Sequence, residues 1–212
     1  MNPKQTFYEK QAATIIKNLE RRQMAGYYCP TKEDAVQTAM SFVPTDTTAA
    51  FGGSMSLLES GVLDALKART DITLIDRSHA KTPDEIKQIY RSAFCADSYF
   101  MSTNAITLDG QLVNIDGNGN RVAALIYGPE QVIIVAGMNK AVPTVEDAVR
   151  RVRNTATPPN CVRLNLDSPC AATGVCADCL SDNCICSQIV ITRRSRTAGR
   201  IKVLLVGEEL GY

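Results

Sequence analysis

Four Ser or Thr residues each stand three positions before an acidic residue, and short apolar runs fill the gaps between the helices they announce. The pairs are Thr6 with Glu9, Thr31 with Asp34, Ser56 with Glu59 and Thr82 with Glu85, the last followed by Pro83 at the favoured first helical position. A hydroxyl at such a place accepts a backbone N–H that the first turn leaves unpaired, and the acid answers in return, so each pair predicts a helix start. The apolar runs are Thr47 to Phe51, Ile72 to Ile75, Tyr99 to Ser102, Gln131 to Ala136, Gln188 to Thr192 and Ile201 to Val206. Short strands alternating with longer helices predict an α/β fold with a mainly parallel sheet flanked by helices.

One segment breaks that rhythm. Ile106-Thr107-Leu108 and Gln111 to Ile115 flank Asp109-Gly110, a dipeptide suited to the positive φ angles of a tight hairpin. The stretch from Asp116 to Arg121 follows, with two Gly and three Asn or Asp, and should expose amides and short polar side chains at one edge of the sheet. Pro158 and Pro159, within Thr155 to Asn160, are expected to end the helix that begins near Thr144. The organisation expected is therefore an α/β domain over 1–158, a Cys-rich segment over 159–187, and terminal strands over 188–212 that complete the domain.

Charge narrows the partners. With 23 Lys and Arg against 22 Asp and Glu, the 212-residue chain carries a net charge of +1, too little for a general grip on a polyanion, so neither nucleic acid nor a membrane surface is expected. The longest aliphatic stretch, Val132 to Ala136, is far too short to cross a bilayer, and the first residues lead into a charged segment, so the expected location is the cytoplasm. The single histidine, His79, makes any His-based nucleophile depend on a residue whose surroundings read as a surface loop.

The first strand runs into Gly52-Gly53-Ser54-Met55-Ser56 and then into the helix expected from Leu57 to Lys67. Strand, glycine loop and helix start favour an anion such as phosphate or carboxylate, although neither the dinucleotide fingerprint nor the P-loop spacing is present. A plain turn with Ser56 as cap is the alternative. In a parallel sheet such loops gather at the carboxyl ends of the strands, where the loop from Asn104 to Arg121 and Lys140, beyond the strand that ends at Ala136, would join them. Lys140 can also be read as an ordinary surface lysine.

Six of the eight cysteines, Cys161, Cys170, Cys176, Cys179, Cys184 and Cys186, fall in one short segment. With no export signal expected, clustered thiols point to a metal more than to disulfides, and Cys176-x-x-Cys179 is a tight turn that aims two sulfurs at one ion. Iron–sulfur, zinc and reduced thiols packing a small subdomain all remain open. Of the isolated pair, Cys29 and Cys95, Cys95 most resembles a buried small hydrophobe. Arg193, Arg194, Arg196 and Arg200 read as a solvated hairpin loop between the last two strands.

Phe51-Gly52-Gly53-Ser54, then Asn104 to Gly110 and Val113 through Asp116-Gly117 to Gly119-Asn120-Arg121-Val122, resemble the LUD-domain family, named for lactate utilisation. Pro169-Cys170, Thr173-Gly174, Cys176, Asp178-Cys179, Cys186, Gly199 to Val203 and Gly207-Glu208 resemble its cysteine-bearing branch. The resemblance implies a fold similar to sugar-phosphate isomerases and CoA transferases, whose ligands bind at a glycine loop, and relatives that accompany iron–sulfur subunits in oxidising lactate. A small anionic metabolite is the ligand expected, at the glycine loop of Gly52, Gly53 and Ser54 as the resemblance implies, with Asn104, Asp116, Asn120, Arg121 and Lys140 joining the candidate binding residues because they are expected at the same sheet edge. The metal set the resemblance implies is Cys170, Cys176, Cys179 and Cys186, for an iron–sulfur cluster or zinc, with Cys161 and Cys184 ancillary; Cys184 stands where the family pattern has a basic residue.

Three functions follow as expectations. The chain is a catalytic or accessory component of lactate-type organic acid oxidation, or an isomerase or acyl/CoA transferase on a phosphorylated or CoA-linked substrate, or a zinc-braced regulatory module. For the second, no glutamate nucleophile is evident, because Glu59 reads as a capping partner and Glu130 as a turn residue.

Overall fold

The structure, a computed structural model, describes residues 2–212. The first helix, α1 (Pro3–Arg21), starts earlier than Thr6: the Asn2 side chain accepts from Lys4 N–H, Pro3 needs no acceptor, and Gln5 answers the cap. Ala12, Ile15 and Leu19, spaced for one helical face, are fully buried by it. Next comes β1 (Ala25–Cys29), a strand that Ala-Gly-Tyr-Tyr-Cys conceals because it has no β-branched residue. Thr31 and Asp34 form the expected reciprocal cap of α2 (Lys32–Ser41).

After β2 (Thr48–Phe51) the helix expected from Leu57 to Lys67 is two pieces, α3 (Met55–Glu59) and α4 (Val62–Ala68). Gly61, at φ +78°, holds the left-handed turn that separates them. Ser54 rather than Ser56 caps α3, and Glu59 instead accepts the N–H of Gly211 at 2.6 Å. The chain continues through β3 (Thr73–Ile75), α5 (Pro83–Ser92) on its Thr82 cap, β4 (Ser98–Met101), and the hairpin strands β5 (Ala105–Thr107) and β6 (Leu112–Asp116). Then come α6 (Asn120–Ile126), β7 (Gln131–Gly137), β8 (Ala141–Val142) and α7 (Val145–Arg151).

Pro158 and Pro159 do not stop the chain's helical course. A wide turn over Val152–Ala156 follows α7 and lets α8 (Thr157–Arg163) start afresh, so that the prolines occupy its first turn, where a missing N–H costs nothing. The boundary expected at 158 therefore lies inside a continuous helical run. The short α9 (Pro169–Thr173) leads into the Cys-rich loop, and β9 (Gln188–Thr192) and β10 (Ile201–Val206) close the chain.

Six strands form a wholly parallel sheet in the order β1-β10-β7-β4-β2-β3. Alternate side chains of the central strands serve opposite faces: Val132, Ile134, Val203 and Leu205 pack with Ile15 and Leu19 of α1, while Ile133, Val135, Leu204 and Val206 pack with Ala35, Ala39, Leu57 and Leu66. The second sheet runs β8-β5-β6-β9, and Ala105, Val113 and Ile115 seat it on Ala148 and Val152 of the long helical run. Because β9 belongs to this sheet and β10 to the other, the arginine run joins two sheets and is not a hairpin loop. Arg200 is held inside, donating to the carbonyls of Pro129, Leu125 and Ala124 at 2.9, 2.7 and 3.0 Å. Cys95 is exposed, against expectation, whereas Cys29 is buried. Among the described residues, no helix is long and apolar enough to cross a membrane.

Candidate functional site

The loops after β2, β4 and β7 leave the parallel sheet at the same edge, its carboxyl end. Between them, the β5–β6 hairpin and α8 lies a cavity of about 320 Å³. Gly53, Ser54, Asn104, Asp116, Asn120, Arg121 and Lys140 all line it. Gly52 stands behind the wall: its N–H is bound to Phe100 O at 2.8 Å, and a Cβ there would come within 2.9 Å of the Tyr99 hydroxyl. Gly53 is less confined, since a Cβ on it would meet only the far end of the Arg77 side chain, Nη2 at 2.7 Å. Among the described residues no protein acceptor takes the N–H of Gly53, Ser54 or Met55, so three successive amides at this loop remain open to a ligand.

Arg121 is largely consumed by the protein. Its Nη1 donates to Asn114 Oδ1 at 2.6 Å and to Ser102 O at 3.4 Å, its Nη2 to Ile115 O at 2.8 Å and Asn104 Oδ1 at 3.1 Å, and Asp116 Oδ2 stands 3.7 Å from Nε. The guanidinium fork thus ties the loop after β4 to the β6 strand, and burial lowers its pKa against the pull of Asp116. Asp116 is likewise occupied, accepting from the N–H groups of Gly119 at 3.2 Å and Val122 at 3.1 Å, which fixes the start of α6. Asn104 spans Arg121 and the N–H of Ile115. These three residues knit the cavity wall together, while the Nδ2 of Asn104 takes part in none of these bonds.

Lys140 is no surface lysine. It is 4% exposed, and its Nζ lies 2.7 Å from Ser56 Oγ and 3.1 Å from Ser102 Oγ. Burial, and then the charges of Arg151 and Arg121, push its pKa down to about 7. Arg77, which no motif in the sequence marks, also lines the cavity, with Nη1 donating to Tyr90 OH at 2.7 Å. It lies two residues before His79, which drew attention as the lone histidine but is exposed and not in the cavity wall. The one signal that pointed to Arg77 was its position just beyond β3, at the same sheet edge. Arg163 of α8 completes four basic side chains around the cavity, against Asp116 as its sole acidic side chain among the described residues.

The Cys-rich loop borders this cavity through Ile185, which packs on Gly117. Its thiols are divided. Cys170 Sγ lies 3.6 Å from Cys161 Sγ, both buried under α8 and α9, while Cys186 contacts Thr157 Oγ1 at 3.7 Å and gives its N–H to Cys184 Sγ at 3.4 Å. Cys179 contacts Ser181 Oγ at 3.5 Å, and Cys176 lies beside Arg153, which also pairs with Asp178. Burial pushes the Cys161 and Cys186 thiols up to about 11, whereas the bonds from Ser181 lower Cys179. The donors suit a thiophilic ion. As placed, however, no three His, Cys, Asp or Glu side chains among the described residues converge on one point, so the arrangement does not fit a tetrahedral centre and no chemistry is routed through one.

A parallel α/β sheet with a basic, loop-built cavity at its carboxyl edge defines the class: an α/β protein whose main cavity lies at the edge where such folds commonly bind ligands. The chain belongs to the LUD-domain family, whose model matches residues 12–206. Among solved structures it is similar to a DUF162 family protein from Deinococcus radiodurans, with a TM-score of 0.53 and 14% identity over 94% of this chain and 98% of that one, which establishes a shared fold. A partial likeness to eIF2B delta from Chaetomium thermophilum has a TM-score of 0.32 and 20% identity, over 52% of this chain and 48% of that one. No curated protein matches the sequence.

Proposed function

We propose that this LUD-family protein binds a small organic anion in the carboxyl-edge cavity, as a catalytic or accessory component of lactate-type organic acid oxidation working with iron–sulfur oxidoreductase subunits. The observation that carries the reading is the meeting of three open amides, at Gly53, Ser54 and Met55, with Arg77 and Lys140 around one cavity whose sole acidic side chain among the described residues, Asp116, is already bonded. Amides and cations with no free acid favour a carboxylate or phosphate over a neutral or cationic ligand. An acyl transferase reading lacks its nucleophile, since Asp116 is tied to two backbone N–H groups and Glu59 is tied to Gly211 outside the cavity wall.

The test is a melting-temperature series with lactate, pyruvate and inorganic phosphate. A ligand that binds only the folded state raises the melting temperature by mass action. Gly53→Val should stay folded, because its crowding falls on the mobile end of Arg77, and should lose the rise that the parent shows. A parent that responds to none of these anions would remove the anion site.

A further inference from the structure

We propose that Lys140 captures the carbonyl carbon of a 2-oxo acid as a reversible imine, while the acid's carboxylate is held by the open amides of residues 53–55 and by Arg77. The inference rests on the anion-site reading and narrows its ligand class. Its foundation is the hydrogen-bond geometry at Nζ. Ser56 Oγ donates its proton to Leu210 O at 3.2 Å and Ser102 Oγ donates to Thr103 O at 3.2 Å, so both hydroxyls present lone pairs to the lysine. Two acceptors match the two N–H bonds of a neutral amine, and the nitrogen lone pair is left without a protein partner in a residue that lines the cavity.

The surroundings favour that neutral, nucleophilic form over the charged one. Among the described residues no carboxylate pairs with Lys140; Glu59 acts on it only weakly and is itself bound to Gly211 N–H. Arg121 and Arg151, the cations that act on it, disfavour a second positive charge, and the pKa is accordingly depressed. A lysine serving only to brace two loops would gain from a carboxylate partner, and this one has two hydroxyls.

The step balances without redox. Nζ attacks the carbonyl carbon, the C–N bond forms as the carbonyl π electrons move to oxygen, and that oxygen gains a proton as nitrogen loses one. The hydroxyl then leaves as water with a further proton, and the C=N bond forms. One water is released for each imine made, and hydrolysis reverses the sequence. Lactate, which has a hydroxyl where the 2-oxo acid has its keto group, would occupy the same site without reacting.

Borohydride trapping tests this on the intact chain. With pyruvate present, reduction followed by peptide mapping should find a reduced pyruvate adduct concentrated on Lys140 among all the lysines. Adduct formation should increase as the pH rises through about 7, lactate should suppress it, and Lys140→Arg should abolish it. The mapping on the parent stands even if that variant fails to fold. Pyruvate that raises the melting temperature while adducts scatter over exposed lysines, or form nowhere, would overturn the imine and leave the anion site in place. Absence of any melting response to pyruvate, lactate or phosphate would overturn both.

Discussion

Lys140 is 4% exposed and holds its amine between two serine hydroxyls, so its protonation state couples to folding. Below a pH of about 7 the amine is charged in both the folded and the unfolded chain, and the folded protein bears the full cost of burying that charge. Between about 7 and the ordinary value of 10.5 the unfolded chain binds a proton that the folded one has released, so stability contributed at this residue rises with pH across that window. Lys140→Met should therefore stabilise the protein most below pH 7, on the order of a few kcal/mol, with the gain fading as pH climbs through the window. Denaturant titrations of parent and variant at several pH values measure it, and a gain that does not vary with pH would mean that Lys140 keeps its ordinary pKa. The sequence put this lysine at the right edge of the sheet. It could not reveal the burial, which depends on Ser56 of α3 and Ser102 beyond β4 meeting it from distant parts of the chain.

At the scale of elements, local chemistry was readable wherever it stayed local. Thr31, Thr82 and Thr144 cap the helices that follow them because cap and first turn lie within a few residues of one another. Thr6 and Ser56 failed because a competing cap lay just upstream, at Asn2 and Ser54. Pro158 and Pro159 misled because the wide turn before them moved them into a first turn, a shift that no dipeptide rule contains. The Cys-rich loop makes its own measurable statement. Alkylation mapped by mass spectrometry, on protein prepared without oxygen, should modify Cys179 early, where Ser181 lowers its thiol pKa, and Cys161 and Cys186 late, where burial raises theirs to about 11. Joint protection of Cys170, Cys176, Cys179 and Cys186, lifted by a chelator, would contradict that order and show those four thiolates closing on a metal.

Across the whole molecule, the parallel sheet was legible from the alternation of strands and helices, while its order was not. The last strand, β10, lies between β1 and β7, so the final strand is inserted inside a sheet whose edge strand comes from near the start of the chain. Apolar runs such as Ile201 to Val206 announce a strand buried on both faces but carry no address for their neighbours. The candidate site was legible for a related reason: loops that follow parallel strands must share an edge, so Gly53, Ser54 and Lys140 could be grouped before their contacts were known. Arg77 escaped because β3 is three residues long and its continuation looked like surface. The claim that joins these scales is that the shared edge holds an organic anion. A crystal structure of the protein grown with pyruvate tests it most directly. The carboxylate should lie against the amides of residues 53–55 and Arg77, with the keto carbon at Lys140 Nζ; pyruvate bound elsewhere on the molecule, with this cavity holding only water, would refute the anion site.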